Sequence, residues 1–183
     1  MRPAIVVRVL AFIACLPIAS AVAQSPSGKL APTDVSSAEI QEAVKRGIAA
    51  LTPGVSVNDR LVTLADISKY NVAVAVVARP AGPDTRVLSH DKITEVYYVL
   101  KGSGTQSTGT LVNGTHQDTS KTIGPGMSST TPLQSPKMRK LGPGDIQIIP
   151  PGLGHVWASI DAGGIQYLVF RMDPEKVLQM EKP

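Results

Sequence analysis

The chain has 183 residues, 43% apolar and 17% charged, with 16 Gly and 15 Pro. That length suits one compact domain with a full-sized core, and the composition argues against a disordered, collagen-like or polytopic membrane protein. Aromatic residues make up only 4%, which with no basic cluster disfavours a base-stacking nucleic-acid surface, and the formal charge of +4 falls to about +2 once Arg2 and Arg8 are set aside as part of a removable segment, too little to call for a polyanionic partner.

Arg2 and Arg8 flank an apolar stretch from Val9 to Ile18, and Ala21-Val22-Ala23 precedes Gln24. This is a basic n-region, an h-region and a small-x-small cleavage site, so residues 1–23 are expected to be a signal peptide cut after Ala23, and the mature protein to be periplasmic or secreted. No other apolar run approaches the roughly 20 residues of a membrane span. A competing reading makes Cys15, the only cysteine, a lipid-modified N-terminus. Phe12 in place of the usual Leu, and apolar sequence continuing to Ala23, speak against it. With cleavage after Ala23 the mature chain has no cysteine, and its stability rests on core packing rather than disulfides.

Residues 24–54 read as a flexible lead-in followed by a helix. Gln24 to Thr33 is rich in Ser, Pro and Gly. Ser36-Ser37-Ala38-Glu39 then fits a capping box, and Ile40, Val44, Ile48 and Leu51 form one apolar stripe that must pack on something. Thr52-Pro53-Gly54 ends the helix. It reads as a cover on the flank of a β-domain, because its polar face carries no excess of Lys or Arg.

From Val55 to the C-terminus the chain reads as one β-domain of short β-branched runs punctuated by Gly, Pro, Asn and Asp. Strands are expected over Leu61 to Leu64, Asn71 to Arg79, Glu95 to Leu100, Gly109 to Val112, Lys121 to Ile123, Asp145 to Ile149, His155 to Ile160 and Ile165 to Arg171. Turn signals fall at 101–104, 112–114, 142–145 and 162–164. With no helical pattern between these runs, an all-β antiparallel sandwich or barrel is favoured over a parallel βαβ sheet. The Ser/Thr/Gly-rich stretch from Gly102 to Gly144 is expected to hold a long, mobile excursion. A short helix over Glu175 to Met180 is expected to close the chain.

Two stretches carry chemical information. The first is His90-Asp91-Lys92-Ile93-Thr94-Glu95-Val96-Tyr97-Tyr98-Val99-Leu100-Lys101-Gly102, and the second runs from Gly144-Asp145 through Pro150-Pro151-Gly152-Leu153-Gly154-His155 to Ser159. They resemble the two motifs of the cupin superfamily, a jelly-roll β-barrel that commonly holds one divalent metal. Gly144, Pro150, Gly152 and His155 match the spacing of the second motif in full, and Glu95 with Gly102 match the first. The resemblance implies an antiparallel jelly-roll barrel, with Glu95 and His155 as ligands. The family's first motif usually also has His-x-His before the Glu. Here the pair becomes Leu88 and His90, or, with one residue fewer between, Ser89 and Asp91. Alternation along an extended strand puts Asp91 on the side of Glu95, so His90 reaches the site only through a bulge or turn. His90 is favoured as the commoner transition-metal ligand, with Asp91 in reserve. Ser159 stands where the second motif often ends in Asn.

His90, Glu95 and His155 would form a two-His, one-carboxylate set suited to Fe, Mn, Ni, Zn or Cu, with coordination positions left open. Tyr97 and Trp157 share the inward parity of Glu95 and His155 and are candidate pocket walls with Leu88 and Ser159, though barrel core is the plainer reading of the two aromatics. His116 falls in the expected excursion, where a solvated loop position is favoured over a lid. Lys137, Arg139 and Lys140 read as a solvated charged turn. Three functions remain: a metal-dependent enzyme of dioxygenase, isomerase or lyase type, a non-catalytic binder of a sugar or other small molecule, and a metal-free scaffold. A small-molecule ligand is the expected partner, with no nucleic acid and no membrane span, and a homodimer is compatible with the sequence.

Overall fold

The computed structural model describes residues 31–53, 55, 57–118 and 122–179. The expected signal peptide and cleavage site lie outside the described residues. Among the described residues one helix, α1 (Ser37–Ala49), precedes nine strands: β1 (Asn58–Asp66), β2 (Asn71–Arg79), β3 (Val87–His90), β4 (Thr94–Thr110), β5 (Thr115–Gln117), β6 (Gly126–Ser129), β7 (Gln134–Leu141), β8 (Ile146–Ile149) and β9 (Gly154–Asp173). All observed pairings are antiparallel.

The long strands β4 and β9 make the architecture. They pair with each other from Thr94↔Met172 to Gly109↔Gly154, and three register shifts bend this ribbon along its length. One arm of the curled sheet is built on the first half of β4 and the second half of β9, which carry β8 and β2 with β1. The other arm is built on their remaining halves, with β7 on β4 and β3 on β9, followed by β6 and β5. This is the all-β jelly-roll that the paired motifs imply. Between the arms lies the core, in which Trp157, Tyr167, Leu141, Ile149, Ile165 and Val99 are each no more than 1% exposed.

Helix α1 starts as expected. Ser36 Oγ accepts from the Glu39 N–H at 3.2 Å, and the Glu39 carboxylate accepts from the Ser36 N–H at 2.8 Å. Ala43, Ile40 and Val44 pack on Val76 and Leu168, so the helix covers the outer face of the β2–β9 arm. Of the expected stripe, Ile48 remains 45% exposed and the last member, Leu51, falls past the helix end at Ala49.

Several expectations are corrected. The turn signals at 101–104 and 162–164 are bulges inside β4 and β9, and Gly109 to Val112 is no separate strand, since β4 runs on to Thr110. Bulge and turn need the same left-handed glycines. Gly102 (φ +77°) approaches so close that a Cβ there would meet the Gly164 carbonyl oxygen at 2.0 Å. The stretch 103–143 holds the rest of β4 and strands β5, β6 and β7, and Lys137, Arg139 and Lys140 lie on β7 rather than in a turn. Thr122 and Ile123 form a turn rather than a strand. No helix forms over the described residues 175–179. There the Asp173 carboxylate accepts from the N–H groups of Val177 and Leu178 at 2.9 and 2.8 Å, and Leu178, 3% exposed, packs against Ile93 and Ala73. The side-chain cap and the buried leucine hold this segment against the barrel in a non-helical form.

Candidate metal centre

The two motifs meet where the arms of the sheet face each other. Leu88 on β3 lies directly opposite His155 on β9, so His90, two residues on, is the diagonal neighbour of His155 on the same face. Their rings lie 5.3 Å apart between centroids. Past His90 the chain bends at Asp91 and Lys92 before β4 begins. This bend breaks the alternation that would have put Asp91 inside. His90 turns inward, 5% exposed, while Asp91 is exposed and meets His116 on β5, Nε2 to Oδ2, at 3.2 Å. The reserve ligand and the third histidine thus pair with each other outside the site. On the second motif, Gly152 (φ +78°) makes the left-handed turn that lets its N–H donate to the His90 carbonyl at 2.8 Å. That bond ties one motif to the other.

Glu95 enters from the opposite arm, on β4, and is 2% exposed. Its Oε2 lies 3.4 Å from His90 Nε2 and 3.7 Å from His155 Nε2, and the three donor atoms all fall within 4.8 Å of one another. Ligand bonds of roughly 2.0–2.2 Å put adjacent donors about 3 Å apart, so a slight contraction would bring this set onto one ion. The donor chemistry also fits. His155 Nδ1–H donates to the Leu153 carbonyl at 3.1 Å, which fixes the tautomer and leaves Nε2 as the lone-pair donor.

The carboxylate is held by its own partners. Tyr97 OH donates to Oε2 at 2.8 Å, and Arg171 Nε donates to Oε1 at 2.9 Å. Arg171, itself 2% exposed, also donates to the Thr122 carbonyl at 3.1 Å and forms a two-point ion pair with Asp59. Burial alone would raise the Glu95 pKa, but the charges of His90 and Arg171 and the hydrogen bond with His90 outweigh it and hold the carboxyl well below its usual value. Burial and the neighbouring carboxylate push the Tyr97 phenol well above its usual value, so it stays a donor. Burial, only partly offset by Glu95, lowers His155 to about 4. At neutral pH, therefore, His155 is an unprotonated imidazole, able to donate a lone pair, beside an ionised carboxylate.

A cavity of about 170 Å³ opens onto these groups, walled by Leu88, Val57, Val77 and Val169, with Arg79, Arg86 and Asp59 among its polar lining. Tyr97 and Leu88 line it. Trp157 does not. It is 1% exposed in the core, its ring tilted at 49° to that of Tyr167 with centroids 5.6 Å apart, and its Nε1 donates to the Tyr167 hydroxyl at 3.3 Å. Ser159 is exposed. Thr105 pairs with Ser159 and Gln106 with Trp157, leaving Ala158 as an extra residue that reverses the parity and turns Ser159 outward.

Arg171, Asp59 and Arg79 escape the motif reading. Arg79 donates to the Tyr167 hydroxyl at 3.0 Å and is ion-paired with Asp84. A signal for both arginines exists: Ala73, Ala75, Val77 and Arg79 keep one phase, as do Ile165, Tyr167, Val169 and Arg171, so each cation closes an inward-facing series of a strand.

The cupin family model matches residues 63–180. No curated protein matches the chain. Among solved structures the chain is similar to KdgF from a Halomonas species, with 13% identity over 68% of this chain and 83% of that one and a TM-score of 0.40. It is also similar to the DMSP lyase DddQ from Ruegeria pomeroyi, with 20% identity over 67% of this chain and 50% of that one and a TM-score of 0.42. A third similar structure is oxalate decarboxylase from Bacillus subtilis, with 20% identity, 58% and 22% coverage and a TM-score of 0.38. The chain spans half or less of the length of the latter two. With the family model matched over more than half of its length, the chain belongs to the cupin family.

Proposed function

We propose that this cupin binds one divalent transition metal through His90, Glu95 and His155, together with a small organic molecule that presents oxygen atoms to the metal, and that it acts on that molecule as a metal-dependent enzyme. The observation that carries this reading is the convergence of three donor atoms within 4.8 Å on a partly open cavity. A metal bound there supplies a Lewis acid with exchangeable positions, and redox chemistry if it is iron or copper. The chain's own residues supply the rest. Arg171 and Tyr97 fix the Glu95 carboxylate, and the Leu153 carbonyl fixes His155. Val57, Val77, Leu88 and Val169 exclude water from part of the cavity and favour a ligand with an apolar portion. Tyr97 keeps its proton beside the carboxylate and is the hydroxyl placed to hold or pass one. Dioxygenase, isomerase and lyase chemistry all suit such a site. Export completes the proposal: the n-, h- and c-regions of residues 1–23 support release into the periplasm or medium.

The test is elemental analysis of protein purified from its native compartment, alongside His155→Ala. The expected result is stoichiometric metal that the variant loses while its β-type circular dichroism is unchanged, because the core is largely apolar and the ligands are few. Undiminished metal in the variant would place the site elsewhere. Ligand binding without turnover across a panel of oxygen chelators would reduce the reading to a non-catalytic binder.

A further inference from the structure

Arg86, Leu88 and His90 occupy alternate positions at and along β3, and all three line the cavity. Successive inward positions lie about 6.6 Å apart along a strand. A charge, an apolar wall and a metal-ligand candidate therefore stand in a row from the mouth inward. The three cavity-lining arginines differ in their partners. Arg79 is paired with Asp84, and Arg171 with Asp59 and Glu95. Arg86 is exposed and makes no ion pair with a carboxylate among the described residues. With Asp84 counted beside Arg79, the three arginines are matched by the carboxylates Asp84, Asp59 and Glu95, so the positive charge left for a ligand is that of Arg86, to which a divalent metal would add.

We infer that Arg86 is a specificity residue for an anionic ligand: the molecule taken by this cavity carries a carboxylate at the end remote from its metal-chelating oxygens, with an aliphatic portion between them against Leu88. The inference rests on the metal and ligand reading above. A guanidinium at the rim, with no carboxylate partner among the described residues, recognises a planar carboxylate by two parallel hydrogen bonds. Leu88 offers nothing polar to the intervening segment, so the specificity is for a bifunctional molecule rather than for a free anion.

The test uses the full chain loaded with cobalt(II), whose visible spectrum reports ligand exchange, and two probes that differ at one end: glutaric acid monohydroxamate and its terminal primary amide. Both present the same chelating hydroxamate. Titration is expected to show the acid binding about tenfold more tightly than the amide. Arg86→Gln should abolish that preference, while amide affinity and cobalt stoichiometry stay as in the parent. Arg86→Lys, which keeps the charge without the fork, should retain part of it. Because Arg86 is exposed, these variants are expected to melt with the parent. Equal affinity for acid and amide in the parent, or an undiminished preference in Arg86→Gln, overturns the inference while leaving the metal centre standing. Failure of cobalt to load, or of either hydroxamate to perturb its spectrum, overturns the metal reading and this inference with it.

Discussion

Arg171 and Glu95 stand directly opposite each other on β9 and β4, and Arg171 Nε donates to Glu95 Oε1 at 2.9 Å with both side chains 2% exposed. A buried ion pair of this kind is weak evidence for net stabilisation, because desolvation consumes much of the Coulombic gain. Its consequence is positional. With Oε1 held by the guanidinium, Oε2 is the oxygen turned to His90 and His155.

Arg171→Met should therefore be costly in two ways. It strands the Glu95 charge in the interior and removes the buried partner of Asp59, and breaking a buried pair from one side costs about 3–5 kcal/mol. Urea unfolding of the metal-free variant should show that loss, and Glu95→Gln added to it should recover part by removing the stranded charge. Titration with metal should show affinity reduced about 10- to 100-fold, the usual effect of removing an outer partner of a ligand. An affinity equal to that of the parent would show that Glu95 needs no such support.

The depressed His155 gives a pH dependence with a definite sign. Its pKa is about 4 in the folded chain against an ordinary value of 6.5. Between those values the unfolded chain takes up a proton that the folded chain refuses. Stability is thus fully present above 6.5 and declines as the pH falls toward 4, by about 3 kcal/mol over the whole shift. Glu95, held below its usual 4.5, adds a further loss only in more acid solution. Urea midpoints of metal-free protein, measured across this window, should fall on acidification, and His155→Gln should flatten the slope between 4 and 6.5. A slope unchanged by that substitution would contradict the assignment.

The parts legible in the sequence are those where one residue type has one backbone use. The capping box at Ser36 and Glu39 and the second-motif spacing of Gly144, Pro150, Gly152 and His155 belong to this class. Strands β3 and β6 were harder to see. Val87-Leu88-Ser89-His90 and Gly126-Met127-Ser128-Ser129 lack β-branched runs, and they extend because they pair with each other. Parity arguments held along uninterrupted strands, which is why Tyr97 lines the cavity, and failed at insertions. Ala158 turned Ser159 outward, and the bend at Asp91 brought His90 in. Neither irregularity carries a Gly or Pro; the extra residue at Ala158 had no local signal, whereas the bend that His90 requires falls at Asp91, a turn-favouring residue. Arg79 and Arg171 were visible in phase but not in role, since their partners Asp84, Asp59 and Glu95 come from other segments.

Export has a direct mass signature. If the n-, h- and c-regions act as proposed, protein recovered from the periplasm or medium begins at Gln24, free or cyclised to pyroglutamate, and lacks Cys15. Intact-mass analysis reads this in one measurement. A chain beginning at Cys15 and carrying the mass of a lipid would place the protein at a membrane surface instead.

Leu88 offers the sharpest test of what the open side of the centre is for. It faces the cavity beside His90 and lies opposite His155 in the strand register. An imidazole placed there would enter the same space as the three existing donors, and it stands where the family's first motif usually has a histidine. Leu88→His should tighten metal binding by about tenfold or more, since a further ligand is added on a rigid strand with little loss of packing at a half-buried position. The same imidazole would take up a coordination position that a chelating ligand needs and replace the apolar wall with a polar one. A hydroxamate should then bind the loaded variant more weakly than the loaded parent, even though the metal itself is held more firmly. Opposite movement of the two affinities is the expected signature. If both rise together, the ligand does not share the face of the metal on which Leu88 stands. If metal affinity is unchanged, the cavity wall and the metal centre are independent, and the leucine serves packing alone.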